Sequence, residues 1–431
     1  MIPSSLLGSI ESHRASALRR MESSKLKTAF VLYLVGVVVL NALILWQLRE
    51  PIVQGYSDFA ALYAAGKLVQ QERASSLYDR VAQWQVQQEF ASSVKIRSGP
   101  LPYIRPPFEA LLFWPLAHLQ YPTAFLLWMA VKIVILCAIP LALRPLADSA
   151  KAIPPILANL LALAFFPVAL DLLEGQDGVL LLLVFVLTLN SLQRRAEFRS
   201  GLFLGLGLFK FHLVLPIALV FLLRRKNRVV AGFLATALVL VLISAQVVGW
   251  ATLMAYPRYL WDLNRASGVG VSTATSMPNI RGLLAAFGFS QTSSVVTGFL
   301  WAVELCGVVF SAYIWRRAGN EPNAFTSLGF SLSIVVTLLT SYYIYSYDLT
   351  LLLIPILQFG GFFLPGLRER VLSEKLFVVS LAVLLFTPLH WVVIFRFGAS
   401  YWLALVLLTM SLAMAWIAER RRPTPGFLSD D

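Results

Sequence analysis

Charged residues are scarce in this 431-residue chain. They make up 13% of it, whereas hydrophobic residues make up 58%; soluble domains carry roughly 25% charged residues. The apolar residues also form blocks long enough to cross a bilayer. These features exclude a soluble globular protein and predict one polytopic membrane domain.

Cysteine and histidine are scarce as well. The two cysteines, Cys137 and Cys306, lie inside apolar blocks, which excludes a disulfide framework or a cysteine metal site. The four histidines form no ligand cluster in the sequence. The sequence also has no Walker loop, dinucleotide fingerprint or HExxH motif. We therefore expect neither a metal nor a cofactor.

Acidic residues are outnumbered by basic ones, 22 to 35, so the formal net charge is +13. In a soluble protein this excess would suggest nucleic acid, but here the positive clusters fall between apolar blocks, as cytoplasmic loops of membrane proteins do. We expect contact with membrane lipid and none with nucleic acid. The clusters lie at 14–27, 194–195, 224–228, 316–317, 368–370 and 420–422.

Hydropathy and charge together predict an all-α bundle of about twelve crossings with both termini in the cytoplasm. The first crossing follows a long polar segment, which favours an uncleaved span over a signal peptide. The predicted parts are a basic cytoplasmic N-terminus at 1–27, an integral membrane domain at 28–418 and a cytoplasmic tail at 419–431. Crossings are predicted near 28–48, 121–143, 155–171, 178–192, 201–223, 229–249, 293–314, 324–342, 348–364, 375–393 and 400–418.

Two polar segments are predicted to lie outside the membrane. The first outer loop, 49–106, contains two amphipathic candidates, 58–70 and 79–90, which suit helices on the outer membrane surface. The second outer loop spans 250–292. The apolar segment 105–119 is too short to cross and is predicted to be re-entrant or interfacial.

The block 201–223 is predicted to consist of two shorter helices that meet near Lys210. A single helix would place the basic cluster at 224–228 on the outer side, against the charge rule. Because broken helices in membranes line protein cavities, we expect Lys210 near the outer side of a cavity.

Three charged residues are candidates for chemistry. Asp58 lies at the outer surface where a helix begins, so it is either a catalytic base or a helix N-cap. Lys210 lies in an apolar segment, so it either binds an anion such as a phosphate or extends to the interface. Arg105, before two prolines, binds either a phosphate or lipid headgroups.

Polar and aromatic clusters near the outer face are candidates for sugar binding. The segment DLLEGQDG at 171–178 is interpreted mainly as a solvated turn, although it contains Gln176 and Asp177. Aromatic residues near Asn264 and at 341–348 suit either an interfacial belt or a ligand. The remaining candidates of this kind are His212, Asn279, Arg281, Tyr345 and Tyr347.

Four segments occur in an order and spacing that are fairly specific: YSDFAALYAAGKLVQ with SLYD (56–79), PYIRPPFEALLFWPLAHL with YPTAFLLW (102–128), LEGQDGVLLLLVFVL (173–187) and GLFLGLGLFKFHLVLPIALVFLLRRKNR (201–228). YPRYLWDLN and PNIRGLL are weaker matches, and the last third matches mainly in hydropathy. With these segments the chain resembles the DUF2029 family, glycosyltransferase family 87, whose multispanning enzymes use polyprenyl-phosphate sugars.

The resemblance implies a GT-C fold with a catalytic aspartate in the first outer loop, a position that Asp58 matches. Lys210 matches the lysine of an apolar segment that leads to Pro216. The chain departs from the family at Arg105, where an aromatic residue is more common, and at Asp177, where asparagine is frequent. The segment 341–348 also departs, because the family commonly carries Trp and His there.

The function implied is a mannosyltransferase-like, inverting hexosyl transfer at the outer (periplasmic) face of the cytoplasmic membrane. The donor would be a polyprenyl-phosphate sugar and the acceptor a glycolipid or glycan. Asp58 would be the general base and Lys210, Arg105 and Arg281 would bind the donor phosphate, a leaving monophosphate that needs no metal. The residues expected to bind donor or acceptor sugar are Gln176, Asp177, His212, Asn264, Asn279, Tyr345 and Tyr347.

Two other classes of function account for part of the sequence. A transporter or lipid-sugar flippase would also use an intramembrane lysine, but it predicts similar halves, and the sequence shows no repeat. A structural scaffold predicts that Asn can replace Asp58 without effect.

Overall fold

The computed structural model describes residues 4–92, 99–144, 153–265, 274–317, 324–363 and 371–420. Over these residues every regular element is helical, which confirms the predicted all-α membrane fold. The elements of the first half are α1 (Ser4–Gln47), α2 (Arg49–Val53), α3 (Phe59–Gln70), α4 (Arg80–Ala91), α5 (Pro107–Phe113), α6 (Tyr121–Leu143), α7 (Pro155–Ala164), α8 (Phe166–Glu174), α9 (Gly178–Gln193), α10 (Glu197–Leu206) and α11 (Phe211–Leu223).

The second half of the chain continues with nine further described helices. They are α12 (Asn227–Val248), α13 (Trp250–Arg265), α14 (Ile280–Ala286), α15 (Ser294–Arg317), α16 (Ala324–Thr340), α17 (Leu353–Phe363), α18 (Leu372–Leu385), α19 (Thr387–Phe397) and α20 (Leu403–Arg420). A 3-10 helix, Ser346–Leu352, leads into α17. The second outer loop is thus partly helical, because α13 fills its first third.

Five described helices are long and apolar enough to cross a membrane. A sixth stretch of sufficient length, Glu197–Leu223, is divided into α10 and α11, and the total is eight if each of two bent pairs forms one crossing. The predicted number of twelve is therefore not confirmed. The bent pairs are α7 with α8, at 63°, and α18 with α19, at 59°. A proline stands at the start of the second helix of each pair, Pro167 and Pro388, where its missing N–H interrupts the helical hydrogen bonds.

Apolar side chains cover the outer surface of the bundle. Leu32 on α1, Val134 on α6 and Leu238 on α12 are each at least 60% exposed. Exposed apolar surface of this extent is typical of helices that face lipid. The segment 105–119 contains only the seven-residue α5 and a 3-10 turn, Leu116–His118, so it is too short to cross, as predicted.

The block that includes Lys210 folds as a helical hairpin. Helices α10 and α11 are joined by a 3-10 turn, Gly207–Lys210. A straight helix over these residues would be about 40 Å long, yet Glu197 at its start and Lys226 just after its end form an ion pair at 2.8 Å. The chain therefore doubles back, and the prediction of two half-helices that meet at Lys210 is confirmed.

The loops divide between two ends of the bundle. At one end, hydrogen bonds join side chains and backbone groups of different loops. Asp58 and Arg105 bond to Gln176, Asn279 bonds to Ser341, and Ser346 bonds to Ser400. At the other end lie the basic clusters at 224–228 and 316–317: Arg224 stacks on Trp315, Lys226 pairs with Glu197 and Arg317 pairs with Glu419. The first of these is called the polar end below, and the second the basic end.

Two apolar cores hold these elements together. The larger core lies among α9, α11, α16, α17 and α20. The smaller core lies beneath α3 at the polar end, where Phe59 packs against the rings of Phe113, Tyr121 and Phe125. Because Phe59 is completely buried, this aromatic cluster fixes the start of α3 and with it Asp58.

Candidate active site

Two cavities at the polar end share one wall. The first has a volume of about 90 Å³ and is lined by Asp58, Arg105, Gln176, His212 and Tyr343, among others. The second has a volume of about 220 Å³ and is lined by Asp58, Glu174, Ser276, Ser346 and Ser400, among others. The shared wall consists of Asp58, Tyr345 and Tyr347. Asp58 thus faces both cavities.

The carboxylate of Asp58 does not cap its own helix. Asp58 occupies the N-cap position of α3, but its side chain makes no capping hydrogen bond. Its Oδ2 instead accepts a hydrogen bond of 2.8 Å from Nε2 of Gln176, and its backbone N–H donates to Glu174. The N-cap alternative is therefore wrong for the side chain, which lies in the wall between the cavities.

Arg105 faces only the first cavity. One terminal nitrogen of its guanidinium donates to Oε1 of Gln176 at 2.9 Å and to Oδ1 of Asp177 at 3.1 Å. Gln176 therefore bridges Arg105 and Asp58, since its amide nitrogen donates to the carboxylate of Asp58 and its carbonyl oxygen accepts from the guanidinium of Arg105. The bridge keeps a positive charge beside the first cavity and a carboxylate between the two.

Three tyrosine hydroxyl groups hold the loop that carries Arg105. The hydroxyl groups of Tyr256, Tyr78 and Tyr103 donate to the backbone carbonyls of Ile104, Arg105 and Pro106, respectively. Burial raises the pKa of all three tyrosines, so they remain protonated donors at neutral pH. Because three consecutive carbonyls are bound, the backbone position of Arg105 is fixed.

The turn that carries Gln176 and Asp177 is buried, so its interpretation as a solvated loop is wrong. Asp171 and Asp177 are fully buried, and Gln176 is 6% exposed. Gly175 adopts a left-handed conformation, φ 64°, that ends α8. Oδ2 of Asp171 accepts from the backbone N–H of Gly178 at 2.7 Å, which closes the turn.

Lys132, which the sequence analysis did not single out, binds this turn from α6. Its ammonium group donates to Oδ1 of Asp171 at 3.1 Å and to the backbone carbonyls of Asp171 and Gln176. Lys132 is fully buried inside an apolar span. An intramembrane lysine is a signal that could have identified it, because a buried charge in a membrane requires a partner.

Lys210 lies behind Arg105 and outside the set of residues that line either cavity. Its ammonium nitrogen is 2.7 Å from Oδ1 of Asp177 and 2.6 Å from Oδ1 of Asp348. Burial by itself raises the pKa of Asp177, but Arg105 and Lys210 outweigh this effect and hold that pKa below its usual range. Asp177 therefore stays ionised and joins the two cations.

Aromatic side chains from the segment 341–348 line the first cavity together with Arg105. The hydroxyl of Tyr345 donates to that of Tyr343, and His212 packs edge-on against Tyr343. Asp348 in the same segment accepts the backbone N–H of Tyr345 through Oδ2. From sequence, the segment 341–348 suits either an interfacial belt or a ligand site, and the partner of Asp348 could not be predicted because it depends on tertiary packing.

Like Lys210 and Asp177, the predicted site residues Asn279 and Arg281 are not among the described residues that line the two cavities. Asn279 is a buried N-cap: it accepts from the N–H of Gly282 and donates to the carbonyl of Ser341 at 2.6 Å. Arg281 stacks over the ring of Tyr342 at 4.1 Å and donates to its carbonyl. Both therefore support the tyrosine-rich segment from behind. The side chain of Asn264 lies outside the described residues.

The described part of the chain offers no cluster of three or more His, Cys, Asp or Glu side chains that could hold a metal ion. The chemical groups in the cavity walls are the carboxyl groups of Asp58, Glu174 and Asp348, a guanidinium, an amide, an imidazole and several hydroxyls. Such a set can accept a proton, bind an anion and hydrogen-bond to a sugar.

Comparison with known proteins identifies the family. The model of glycosyltransferase family 87 matches residues 103–341, more than half of the chain. The match includes Arg105, Gln176, Asp177 and Lys210, whereas Asp58 and the tyrosines at 343–347 lie outside it. No curated protein and no solved structure matches the chain. The chain therefore belongs to glycosyltransferase family 87, and it is a membrane glycosyltransferase.

Proposed function

We propose that the enzyme transfers a hexose, of the mannosyl type, from a polyprenyl-phosphate donor to a hydroxyl group of a glycolipid or glycan. The observation that carries the proposal is the position of Asp58. Its carboxylate faces two cavities, and only one of them is lined by a guanidinium. A transferase needs this arrangement, because one side must hold an anionic leaving group and the other a neutral nucleophile.

The donor phosphate is assigned to the first cavity. Arg105 offers a planar fork of donors, which matches phosphate oxygens better than a lysine does. Lys210 lies one layer deeper with two carboxylates at its ammonium group. We therefore assign Lys210 to positioning Asp177, which in turn holds Arg105, and Arg281 to supporting the segment at 341–348.

The acceptor is assigned to the second cavity. Its wall carries Glu174, Ser276, Ser346 and Ser400, which are groups that hydrogen-bond to sugar hydroxyls. Asp58 would take the proton from the acceptor hydroxyl while that oxygen attacks the anomeric carbon of the donor sugar. The bond from the anomeric carbon to the phosphate oxygen breaks and the phosphate leaves with its electrons. The configuration inverts because the acceptor oxygen attacks the face of the anomeric carbon opposite the leaving phosphate.

The division of the bundle into two ends supports an active site on the outer face of the cytoplasmic membrane. Both cavities lie at the polar end, whereas Arg224, Lys226 and Arg317 lie at the basic end. Basic loops are retained in the cytoplasm, so both cavities would open to the opposite side. A lipid-linked donor could then enter from the outer leaflet.

The test compares wild type with Asp58→Asn in lipid, using polyprenyl-phosphate mannose, glucose or arabinose and a glycolipid extract as acceptor. The variant keeps the shape of the side chain but cannot accept a proton, so the rate of transfer should fall about 10²- to 10⁴-fold. Asp262→Asn is the matched control, because Asp262 is an exposed aspartate in α13. Equal rates in wild type and Asp58→Asn would contradict the proposal.

A further inference from the structure

Glu109 is a buried carboxyl group that the mechanism above does not use. It lies on α5 one helical turn after Arg105 and is 2% exposed. Among the described residues, neither of its carboxyl oxygens has a hydrogen-bond partner, and neither does Oδ2 of Asp177. Buried carboxylate oxygens without donors are costly, so three of them beside one another call for an explanation.

The neighbouring cations do not supply the missing donors. Arg105 and Lys210 both bind Oδ1 of Asp177, at 3.1 and 2.7 Å, and this leaves Oδ2 unbound. Nε of Arg105 is 3.9 Å from Glu109, beyond hydrogen-bond distance. A proton on Glu109 supplies a donor, since a carboxylic acid can donate to a carboxylate whereas two carboxylates cannot bond to each other.

The net charge of the buried groups around Glu109 also favours a protonated Glu109. Arg105 and Lys210 are its two cations, and Asp177, Asp348 and Glu109 are its three carboxyl groups. With all three ionised, the cluster would be net negative in a buried environment. With Glu109 neutral, the charges balance, as burial requires.

Burial raises the pKa of Glu109 well above its usual range, and the neighbouring Asp177 raises it further, although Arg105 and Lys210 lower it in part. The other titratable groups that face Glu109 are the hydroxyls of Tyr78, Tyr103 and Tyr256. Because burial raises the pKa of these tyrosines, they stay neutral and add no charge.

We propose that Glu109 is a neutral carboxylic acid whose proton is donated to Oδ2 of Asp177, and that it acts as a positioning residue for Arg105. An ionised Glu109 would make the buried charge cluster behind the first cavity net negative and weaken the binding of an anion by Arg105. The neutral acid removes that repulsion and lets Arg105 face a phosphate. This last step rests on the proposed function, whereas the protonation state of Glu109 does not.

Infrared spectroscopy of the purified protein in lipid tests the protonation state without substrate. At pH 7 the wild type should show a carboxylic-acid C=O stretch that is lost in Glu109→Gln. Glu50→Gln is the matched control, because the Glu50 side chain is 75% exposed, and its spectrum should equal that of the wild type. Glu109→Asp, which keeps an acid, should shift the band, so the assignment does not depend on one variant.

Identical spectra for wild type, Glu109→Gln and Glu109→Asp would overturn the proposal, since Glu109 would then be ionised at pH 7. This outcome can be told apart from failure of the proposed function. If no polyprenyl-phosphate sugar is transferred by the wild type, the function is wrong, but the infrared result still decides the state of Glu109.

Donor kinetics test the positioning role. In the wild type, the KM for the donor should rise at alkaline pH as Glu109 loses its proton, with a smaller change in kcat. Glu109→Gln, whose amide is a permanent neutral donor, should abolish this rise. Glu109→Met has no donor and should raise KM about tenfold at every pH. The same pH dependence in wild type and Glu109→Gln would overturn the positioning role.

Discussion

At the scale of single residues, the site is a network of buried charges whose partners come from distant parts of the chain. Lys210 is fully buried and pairs with Asp177 and with Asp348, the latter 138 positions further along the chain. Removing one member of such a pair leaves an uncompensated charge. The cost of replacing Lys210 should therefore appear in the free energy of unfolding as well as in activity.

Lys210→Met should lower the free energy of unfolding by about 3–5 kcal/mol, because two carboxylates would remain in an apolar interior with one counterion fewer. Thermal unfolding in detergent, followed by tryptophan fluorescence, measures the change. Lys226→Met is the matched control: its ion pair with Glu197 is partly exposed, so it should cost less than about 1 kcal/mol. Equal losses in both variants would contradict the pairing.

The sequence predicted several of these residues but not their partners. Asp58, Arg105, Gln176 and His212 were candidates, and all of them line the first cavity. Hydropathy identifies a charge in an apolar block, but not which distant carboxylate will neutralise it. Lys132 and Glu109 were missed for that reason, and the pairing of Asp348 with Lys210 was not predicted, since these contacts arise only when α5, α6 and the segment 341–348 come together.

At the scale of elements, the hairpin of α10 and α11 depends on close contact between backbones. Gly201 on α10 and Gly232 on α12 let the two helices approach so closely that a Cβ on Gly201 would collide with the carbonyl oxygen of Val229. A Cβ on Gly232 would likewise collide with the carbonyl oxygen of Phe198. The helices therefore pack backbone to backbone, and the turn at Lys210 is held in place from α12.

Gly201→Ala should destabilise the protein by about 1–3 kcal/mol, because the added methyl group forces α10 away from α12. It should also lower activity, since the turn that carries Lys210 would shift. Gly36→Ala on α1 is the matched control, because nothing lies within 4 Å of a Cβ there. Thermal unfolding and the transfer assay together measure the effect, and a stable, fully active Gly201→Ala would refute the close packing.

Helix positions were well predicted where an apolar block is long and uninterrupted. The predicted crossing at 121–143 coincides with α6, and 178–192 lies within α9. The bends at Pro167 and Pro388 were missed, because hydropathy averages across a proline that interrupts a helix. The helical part of the second outer loop, α13, was missed because its composition is that of an interfacial segment rather than a span.

At the scale of the whole molecule, the polar end and the basic end give the protein a direction. The cavities lie at the first end and the arginine clusters at the second. This separation makes the proposed orientation testable without any substrate, since only one end can be reached by a reagent that does not cross the membrane.

Ser75→Cys at the polar end should be labelled in intact cells by a membrane-impermeant maleimide, whereas Arg194→Cys at the basic end should be labelled only after the cells are opened. Both positions are exposed, and both variants are made with Cys137 and Cys306 replaced by serine. The expected result follows from retention of basic loops in the cytoplasm. The reverse pattern of labelling would place the active site on the cytoplasmic side.

The pairing of Lys210 with Asp177 also bears on the order in which the site assembles while the protein is being made. Ribosomes synthesise Asp177 before Lys210, and Asp348 follows much later. If the hairpin inserts after the turn that carries Asp177 has folded, the lysine meets a counterion as it enters the bilayer, which lowers the cost of burying its charge. Asp348 adds the second carboxylate to Lys210 only after most of the chain has been synthesised. The active site is therefore one of the last parts of the protein that can be completed.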